Sequence, residues 1–266
     1  MADKWSTGVS LRNLSGPMQA VGALFAMSLD AIRFIFKRPF QGREFLEQCW
    51  FVARVSMAPT LLVAIPFTVL VSFTLNILLR ELGAADLSGA GAAFGAVTQL
   101  GPMVTVLIVA GAGATAMCAD LGSRTIREEI DAMEVLGINP IQRLVVPRVL
   151  AMVLVALLLN GLVSVIGIAG GYFFNVVLQG GTPGAYLASF SALAQLPDLY
   201  VAELKAAIFG LIAGVVASYK GLHPGAGPKG VGEAVNQTVV ITFLLLFFAN
   251  LILTMVYLQI VPAKGS

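Results

Sequence analysis

The sequence predicts an all-α integral membrane protein with about five transmembrane helices, N-terminal interfacial helices and a short cytoplasmic helix. Of its 266 residues, 58% are hydrophobic and only 11% are charged, whereas a soluble domain carries about 25% charged residues. Several apolar segments are longer than the roughly 20 residues that a helix needs to cross a bilayer. The formal net charge of +2 is too small to indicate nucleic acid as a partner.

Five segments have the length and composition of membrane spans. They are residues 58–79, 94–119, 149–178, 199–219 and 234–261. Four of them carry no charge, and the segment 199–219 carries Glu203 and Lys205 near one end. A sixth span at 18–36 is the alternative, but Asp30 and Arg33 would be costly at the centre of a bilayer.

The residues before the first span have an amphipathic pattern. Leu46, Trp50 and Met57 recur at helical spacing, and Glu44 lies on the other side. This pattern predicts a helix over 43–57 that lies in the membrane interface. The chain is accordingly divided into an N-terminal and interfacial part, 1–57, a transmembrane domain, 58–261, and a tail, 262–266.

The Lys and Arg residues are concentrated on one side of the predicted spans. The N-terminal segment and the loops 120–148 and 220–233 contain most of them, whereas the segments 80–93 and 179–198 contain only Arg80. Cytoplasmic loops of membrane proteins carry an excess of Lys and Arg. We therefore expect the N-terminus and both basic loops to be cytoplasmic.

The loop after the second span contains a predicted separate helix over about residues 125–136. Thr125 and Glu128 have the spacing of a capping box, in which each side chain bonds the other residue's backbone amide. Gly137 and Pro140 predict where the helix ends. An apolar stripe at helical spacing would pack on the bundle and leave the acidic face for a partner. The stripe is formed by Ile126, Ile130, Met133 and Leu136. A solvated charged loop without a partner is the alternative.

Several motifs occur in one order along the chain. The most specific is an acidic helix that ends in Gly-x-Asn-Pro, EEIDAMEVLGINP at 128–140. The supporting motifs are LGP at 100–102, LVVPR at 144–148, LKAAIFG at 204–210 and GVG at 230–232. Over about residues 45–258, the chain resembles the MlaE/YrbE permeases, which are membrane subunits of ABC-type lipid transporters that work with MCE proteins.

The resemblance implies a transport subunit rather than an enzyme. In that family the short helix is a coupling helix seated on an ATPase subunit, so ATP and Mg are expected at the partner and no cofactor in this chain. The residues implied to contact the ATPase are Arg127, Glu128, Glu129, Asp131, Met133 and Glu134. The glycine-rich segment 225–230 lacks the Lys-Ser/Thr ending of a P-loop. We expect no catalytic residue and no metal site.

The resemblance also implies a lipid cavity between two permease halves. Its implied lining is Leu79, Thr98, Gln99 and Leu100. Members of the family often carry Arg-Glu where this chain has Thr98-Gln99, and Arg where it has Ala112. These departures resemble the A-type YrbE subunits of actinobacteria, which pair with a non-identical second half. The implied location is the bacterial inner (plasma) membrane, with MCE proteins on the extracytoplasmic side.

Two other functions stay open at this stage. An ion-coupled secondary transporter could use Glu203, Lys205 or the Asn residues within the spans. A membrane scaffold would anchor partners without transporting anything. The Asn residues are Asn76, Asn160, Asn175 and Asn250. They are expected to form hydrogen bonds between helices, which is the usual role of Asn within a membrane bundle.

Overall fold

A computed structural model describes residues 16–35, 41–84, 87, 89, 91, 95–193 and 196–260. Eight helices make up most of this part of the chain. In chain order they are α1 (Gly16–Ile35), α2 (Gly42–Glu81), α3 (Gly95–Ile126), α4 (Glu129–Val135), α5 (Ile141–Leu178), α6 (Pro183–Leu193), α7 (Leu196–Leu222) and α8 (Gly227–Ile260). No strand occurs among these residues. The predicted all-α fold is confirmed.

Five of these helices are long and apolar enough to cross a membrane, namely α2, α3, α5, α7 and α8. This confirms the predicted number of spans. The helix α1 has 20 residues and is not among these five, and the apolar stretch among its described residues is Gly22–Ala31. The alternative of a sixth span at 18–36 extends beyond the described residues and stays a prediction.

The helix α2 runs without interruption for 40 residues, from Gly42 to Glu81. The boundary predicted between residues 57 and 58 therefore lies inside a helix, and the division of the chain at this point stays a prediction. The first turns of the helix have two different sides in the structure. Leu46 and Trp50 are exposed, whereas Gln48 is buried against the bundle. Pro59 lies within the helix, where a proline costs one backbone hydrogen bond. The helix continues because the apolar pattern continues on both sides of it.

The helices α5 and α7 pack closely at the centre of the bundle. A Cβ atom added at Gly210 of α7 would lie 2.6 Å from the Cα atom of Val153, and one added at Gly214 would lie 3.1 Å from the Cα atom of Val149. Only glycine permits this approach at Gly210. Phe209, next to it, is fully buried.

Two short π-helical segments each end two residues before a proline. The segment Gly95–Leu100 begins α3 and precedes Pro102, and the segment Ile141–Val145 begins α5 and precedes Pro147. A proline has no N–H group, and its ring crowds the carbonyl four residues earlier. That carbonyl lies inside the π-helical segment in both helices, so the wider turn accommodates the proline without ending the span.

Candidate functional site: the segment between α3 and α5

The short helix α4 connects the ends of α3 and α5. It contains seven residues, Glu129–Val135, and is about 10 Å long. The helix predicted over 125–136 is therefore shorter than expected. Its predicted end is confirmed, because Gly137 has φ +74° and its N–H donates to the carbonyl of Glu134 at 2.9 Å. The side chain of Asn139 then caps α5 by accepting from the N–H of Ile141 at 2.9 Å.

The predicted capping box at the start of α4 is wrong. The hydroxyl of Thr125 donates to the carbonyl of Leu121 and to that of Gly221 in α7, both at 3.0 Å. Because Thr125 is engaged with another helix, α3 continues to Ile126. The chain turns at Glu128, whose φ of +61° lies in the left-handed region. Such a conformation costs about 1 to 2 kcal/mol for a residue other than glycine.

The apolar residues of this segment point in two directions. Ile130 is buried and Met133 is half-buried against the core. Val135 and Leu136 are 88% and 74% exposed. The predicted inward stripe is therefore correct for Ile130 and Met133 and wrong for Leu136 and Ile126, since the break at Glu128 changes the register of the helix.

Four of the six residues predicted to contact an ATPase are exposed, namely Arg127, Glu128, Asp131 and Glu134. Glu129 and Met133 are half-buried. The exposed surface of α4 therefore combines carboxylates with the large apolar side chains Val135 and Leu136. Contact of this surface with an ATPase stays a prediction.

A series of ion pairs connects α4 to the bundle. The guanidinium of Arg127 lies 3.2 Å from the carboxylate of Glu129, and that of Arg124 lies 4.0 Å from the same carboxylate. Arg124 also lies 3.5 Å from Asp120, one turn earlier in α3. These contacts are partly exposed, and each contributes little to stability on its own.

The series ends in a buried cluster around Arg148 of α5. Its Nη2 atom donates to Oδ2 of Asp120 at 2.7 Å, and its Nη1 atom lies 3.1 Å from Oε1 of Glu44 in α2. The Nη1 atom also donates to the carbonyl of Leu144 at 3.1 Å. Arg148 is 0% exposed. Removal of one partner from such a buried pair typically costs about 3 to 5 kcal/mol.

Sequence reasoning missed this cluster. In the sequence, Arg148 stands out only as the end of the LVVPR motif and of the basic loop 120–148, and Glu44 only as the polar side of an interfacial helix. The available signal was a single Arg at the start of an otherwise uncharged span, because a buried charge requires a partner.

Polar contacts of a different kind join the helices further from α4. The side-chain amide of Asn175 donates to that of Asn76 at 3.1 Å, and the amide of Asn160 donates to the carboxylate of Glu203 at 3.1 Å. The expected interhelical bonds of these three Asn residues are confirmed. Lys205 donates to the hydroxyl of Thr254 in α8 at 2.8 Å. Glu203 and Lys205 therefore bond to two different helices.

The four residues predicted to line a lipid pathway lie in two helices. Thr98, Gln99 and Leu100 belong to the π-helical start of α3, where Thr98 and Leu100 are buried and Gln99 is half-buried. Leu79 is half-buried near the end of α2. Their contact with lipid stays a prediction.

Comparison with known proteins identifies the family. Residues 45–256, from the first turn of α2 to the last part of α8, match the family model for the permease MlaE. A probable ABC transporter permease protein of Synechocystis is 32% identical over 253 residues, which are 94% of this chain and 95% of the relative. A similarly named protein of Rickettsia conorii is 27% identical over 91% of this chain and 93% of the relative. The chloroplastic protein TRIGALACTOSYLDIACYLGLYCEROL 1 of Arabidopsis thaliana is 30% identical over 60% of this chain and 46% of the relative. The chain therefore belongs to the MlaE permease family.

Proposed function

We propose that this chain is the permease subunit of an ABC-type lipid transporter and that α4 transmits the movement of a partner ATPase to the membrane helices. The observation that carries the proposal is the form of α4, a seven-residue helix with an exposed acidic and apolar surface and an ion-paired connection to the bundle. The transport role agrees with membership of a permease family. ATP and Mg would be bound by the partner ATPase.

The contacts that attach α4 to the bundle support its proposed role in transmitting the movement of the ATPase. Glu129 is paired with two Arg residues, and Arg124 connects it to Asp120 within the bundle. Thr125 fixes the end of α3 to the end of α7. A partner that pushes on α4 would therefore move α3, α5 and α7 together, which is how one rigid element biases a two-state bundle.

Lipid as the transported substrate is supported by less direct observations. The Arabidopsis relative carries the name of a galactolipid. The chain also resembles permeases that work with MCE proteins and that form a lipid cavity between two halves. We propose a second permease half, not identical to this chain, and MCE proteins on the extracytoplasmic side. The proposed location is the bacterial inner membrane with a cytoplasmic N-terminus, which agrees with the distribution of Lys and Arg.

The test uses the complex purified through a tag on this chain and reconstituted into phospholipid vesicles. One vesicle leaflet contains a phospholipid with a fluorescent acyl chain. We expect this lipid to move when ATP and Mg are supplied, and not when a non-hydrolysable ATP analogue replaces ATP.

Two results would contradict the proposal. Movement that needs no ATP but stops when the proton gradient is dissipated would indicate an ion-coupled transporter. A complex that retains and activates an ATPase but moves no lipid would indicate a scaffold.

A further inference from the structure

An apolar cavity of about 490 Å³ lies between α1 and the bundle. Leu24 and Phe25 of α1 form one wall, and Val149 of α5 with Ile212 of α7 forms the opposite wall. Leu245 of α8 lies on a third side. Its size falls within the range of about 300 to 1,000 Å³ that is usual for sites of small organic molecules.

Water is a poor occupant of this cavity. Only Ser28, Tyr219 and Lys220 contribute polar side chains to the lining. The hydroxyl of Ser28 already donates to the carbonyl of Leu24 at 2.7 Å. A buried water needs two to four polar partners, which the walls do not offer away from Tyr219 and Lys220. Hydrocarbon fits the walls, and within a membrane the available hydrocarbon is a lipid chain.

One end of the cavity has a cationic group. Lys220, in the last turn of α7, is half-buried, and its ammonium donates to the side chain of Gln237 at 2.8 Å. An ammonium has three hydrogens, and this bond uses one of them. The remaining two are suited to an anion at the level where a span ends.

The acidic groups nearby face a different space. Asp30, Asp131 and Glu134 line a second cavity of about 320 Å³ between α1 and α4. Tyr219 belongs to the lining of both cavities. Lys220 lines the apolar cavity but not the acidic one, whereas these carboxylates line the acidic cavity alone.

We propose that this cavity holds an acyl chain of a resident anionic glycerophospholipid, whose phosphate is bound by Lys220. The lipid fills the space between α1 and the helices α5, α7 and α8, and so holds α1 on the bundle. It is distinct from the transported lipid, because the proposed pathway residues Leu79 and Thr98 lie in α2 and at the start of α3. The site does not depend on the proposed transport function.

The test measures lipid that stays with the full chain in its complex after purification in detergent and extensive washing. Total phosphorus per chain gives the amount, and mass spectrometry of the extract gives the species. After exposure to mixed vesicles of phosphatidylglycerol and phosphatidylcholine, we expect wild type to retain phosphatidylglycerol preferentially. The retained lipid should not be released by cycles of ATP hydrolysis.

Variants at the two ends of the site separate the chain from the headgroup. Ser28→Trp fills the cavity from α1 and should remove most of the retained phospholipid of either type. Lys220→Gln should lower the ratio of phosphatidylglycerol to phosphatidylcholine by about fivefold to tenfold, as expected for loss of a charge-assisted contact. Lys220→Arg should restore that ratio.

Matched controls lie outside the cavity. Leu107→Trp adds the same side chain to a smaller cavity lined by residues of α2, α3 and α8, and Lys229→Gln removes an exposed charge near the start of α8. Both should behave as wild type.

Several results would overturn the proposal. The first is that washed wild type contains no phospholipid, and the second is that Ser28→Trp and Leu107→Trp retain equal amounts of it. The third is that Lys220→Gln leaves the ratio of phosphatidylglycerol to phosphatidylcholine unchanged. The fourth is that ATP hydrolysis releases the retained lipid. A crosslink from position 25 to a second copy of the chain, with no phosphorus recovered, would assign the cavity to a protein neighbour and would also overturn it. If Ser28→Trp fails to fold, the Lys220 variants still decide. Absence of ATP-driven transport with the lipid retained would count against the proposed function alone.

Discussion

The two ends of the bundle are held together by different chemistry. At the end that carries α4, carboxylates and guanidinium groups connect α2, α3, α4 and α5, and all of the ion pairs among the described residues lie there. At the end that carries α6, neutral groups predominate. Asn76 pairs with Asn175, and the hydroxyl of Tyr186 donates to the carbonyl of Ile168 at 3.2 Å. The charged groups that bond there have neutral partners: Asp198 accepts from the hydroxyl of Tyr257, Glu203 accepts from the amide of Asn160, and Lys205 donates to the hydroxyl of Thr254.

Close packing between elements occurs at both ends. At the α4 end, a Cβ atom added at Gly221 would lie 2.7 Å from the Cβ atom of Leu121, and one added at Gly122 would lie 2.9 Å from the side chain of Val231. At the α6 end, a Cβ atom added at Gly167 would lie 2.6 Å from the Cβ atom of Ala96, and the ring of Tyr172 meets that of Tyr186 edge to face. From the ion pairs, we infer that the α4 end moves as one body and that separation of the helices is easier at the α6 end.

The largest expected effect comes from removing the central charge of the α4 end. Arg148→Met leaves Glu44 and Asp120 without their buried partner and should lower the free energy of unfolding by about 3 to 5 kcal/mol. Thermal denaturation of the detergent-purified chain measures this. The triple variant with Glu44→Gln and Asp120→Asn should regain much of the loss, because no uncompensated charge remains.

The matched control for this change is Arg143→Met. Arg143 is exposed, and among the described residues its guanidinium bonds the side chain of Gln41, so loss of this side chain should cost little. Equal stability of Arg148→Met and Arg143→Met would show that the buried cluster does not hold the α4 end together.

The second largest effect concerns the exposed surface of α4. Reversal of both Asp131 and Glu134 to Lys should reduce the ATPase that co-purifies with the chain to about a tenth, equivalent to about 1.4 kcal/mol. Both residues are exposed, so stability should not change. Glu233→Lys, an exposed reversal near the start of α8, is the control. Undiminished retention of the ATPase by the double variant would remove the partner from this surface.

Glu129 is unsuitable for that test because it also connects α4 to the bundle. Glu129 is half-buried and paired with Arg124 and Arg127. Its reversal would disrupt the connection to the bundle as well as the surface. A loss of the ATPase from Glu129→Lys would therefore not distinguish the two.

The spans were predictable from the sequence, and the ionic cluster was not. Length and absence of charge are sufficient for a span, because a bilayer requires little else. The cluster joins Glu44, Asp120 and Arg148 from three helices, and no spacing along one helix encodes it. The sequence indicates only that each charge needs a partner somewhere.

Local sequence signals predict one end of α4 and not the other. Its end was predicted because Gly137 adopts a positive φ that few other residues tolerate. Its start was not, because the hydroxyl of Thr125 bonds a carbonyl 96 residues away. Local capping rules fail where a tertiary contact satisfies the capping side chain instead.

A smaller effect is expected at the turn between α3 and α4. Glu128→Gly should raise the free energy of unfolding by about 1 kcal/mol, because glycine adopts φ +61° without strain. Glu134→Gly, in the right-handed interior of α4, should lower it by about 0.5 to 1 kcal/mol. Thermal denaturation of the two variants compares them directly. A change of the same sign in both would show that the left-handed turn is not a source of strain.

The smallest effect tests the neutral contacts of the α6 end. Asn76→Leu and Asn175→Leu, separately and together, form a double-mutant cycle across the bond between α2 and α5. Polar pairs within membranes couple by about 0.6 kcal/mol on average, and we expect a value of that order from denaturation in detergent. The corresponding cycle for Glu44→Gln and Arg148→Met at the α4 end should give a coupling several times larger. If the two coupling energies were equal, the difference in chemistry between the ends would not produce a difference in rigidity, and the inference that the helices separate more easily at the α6 end would fail.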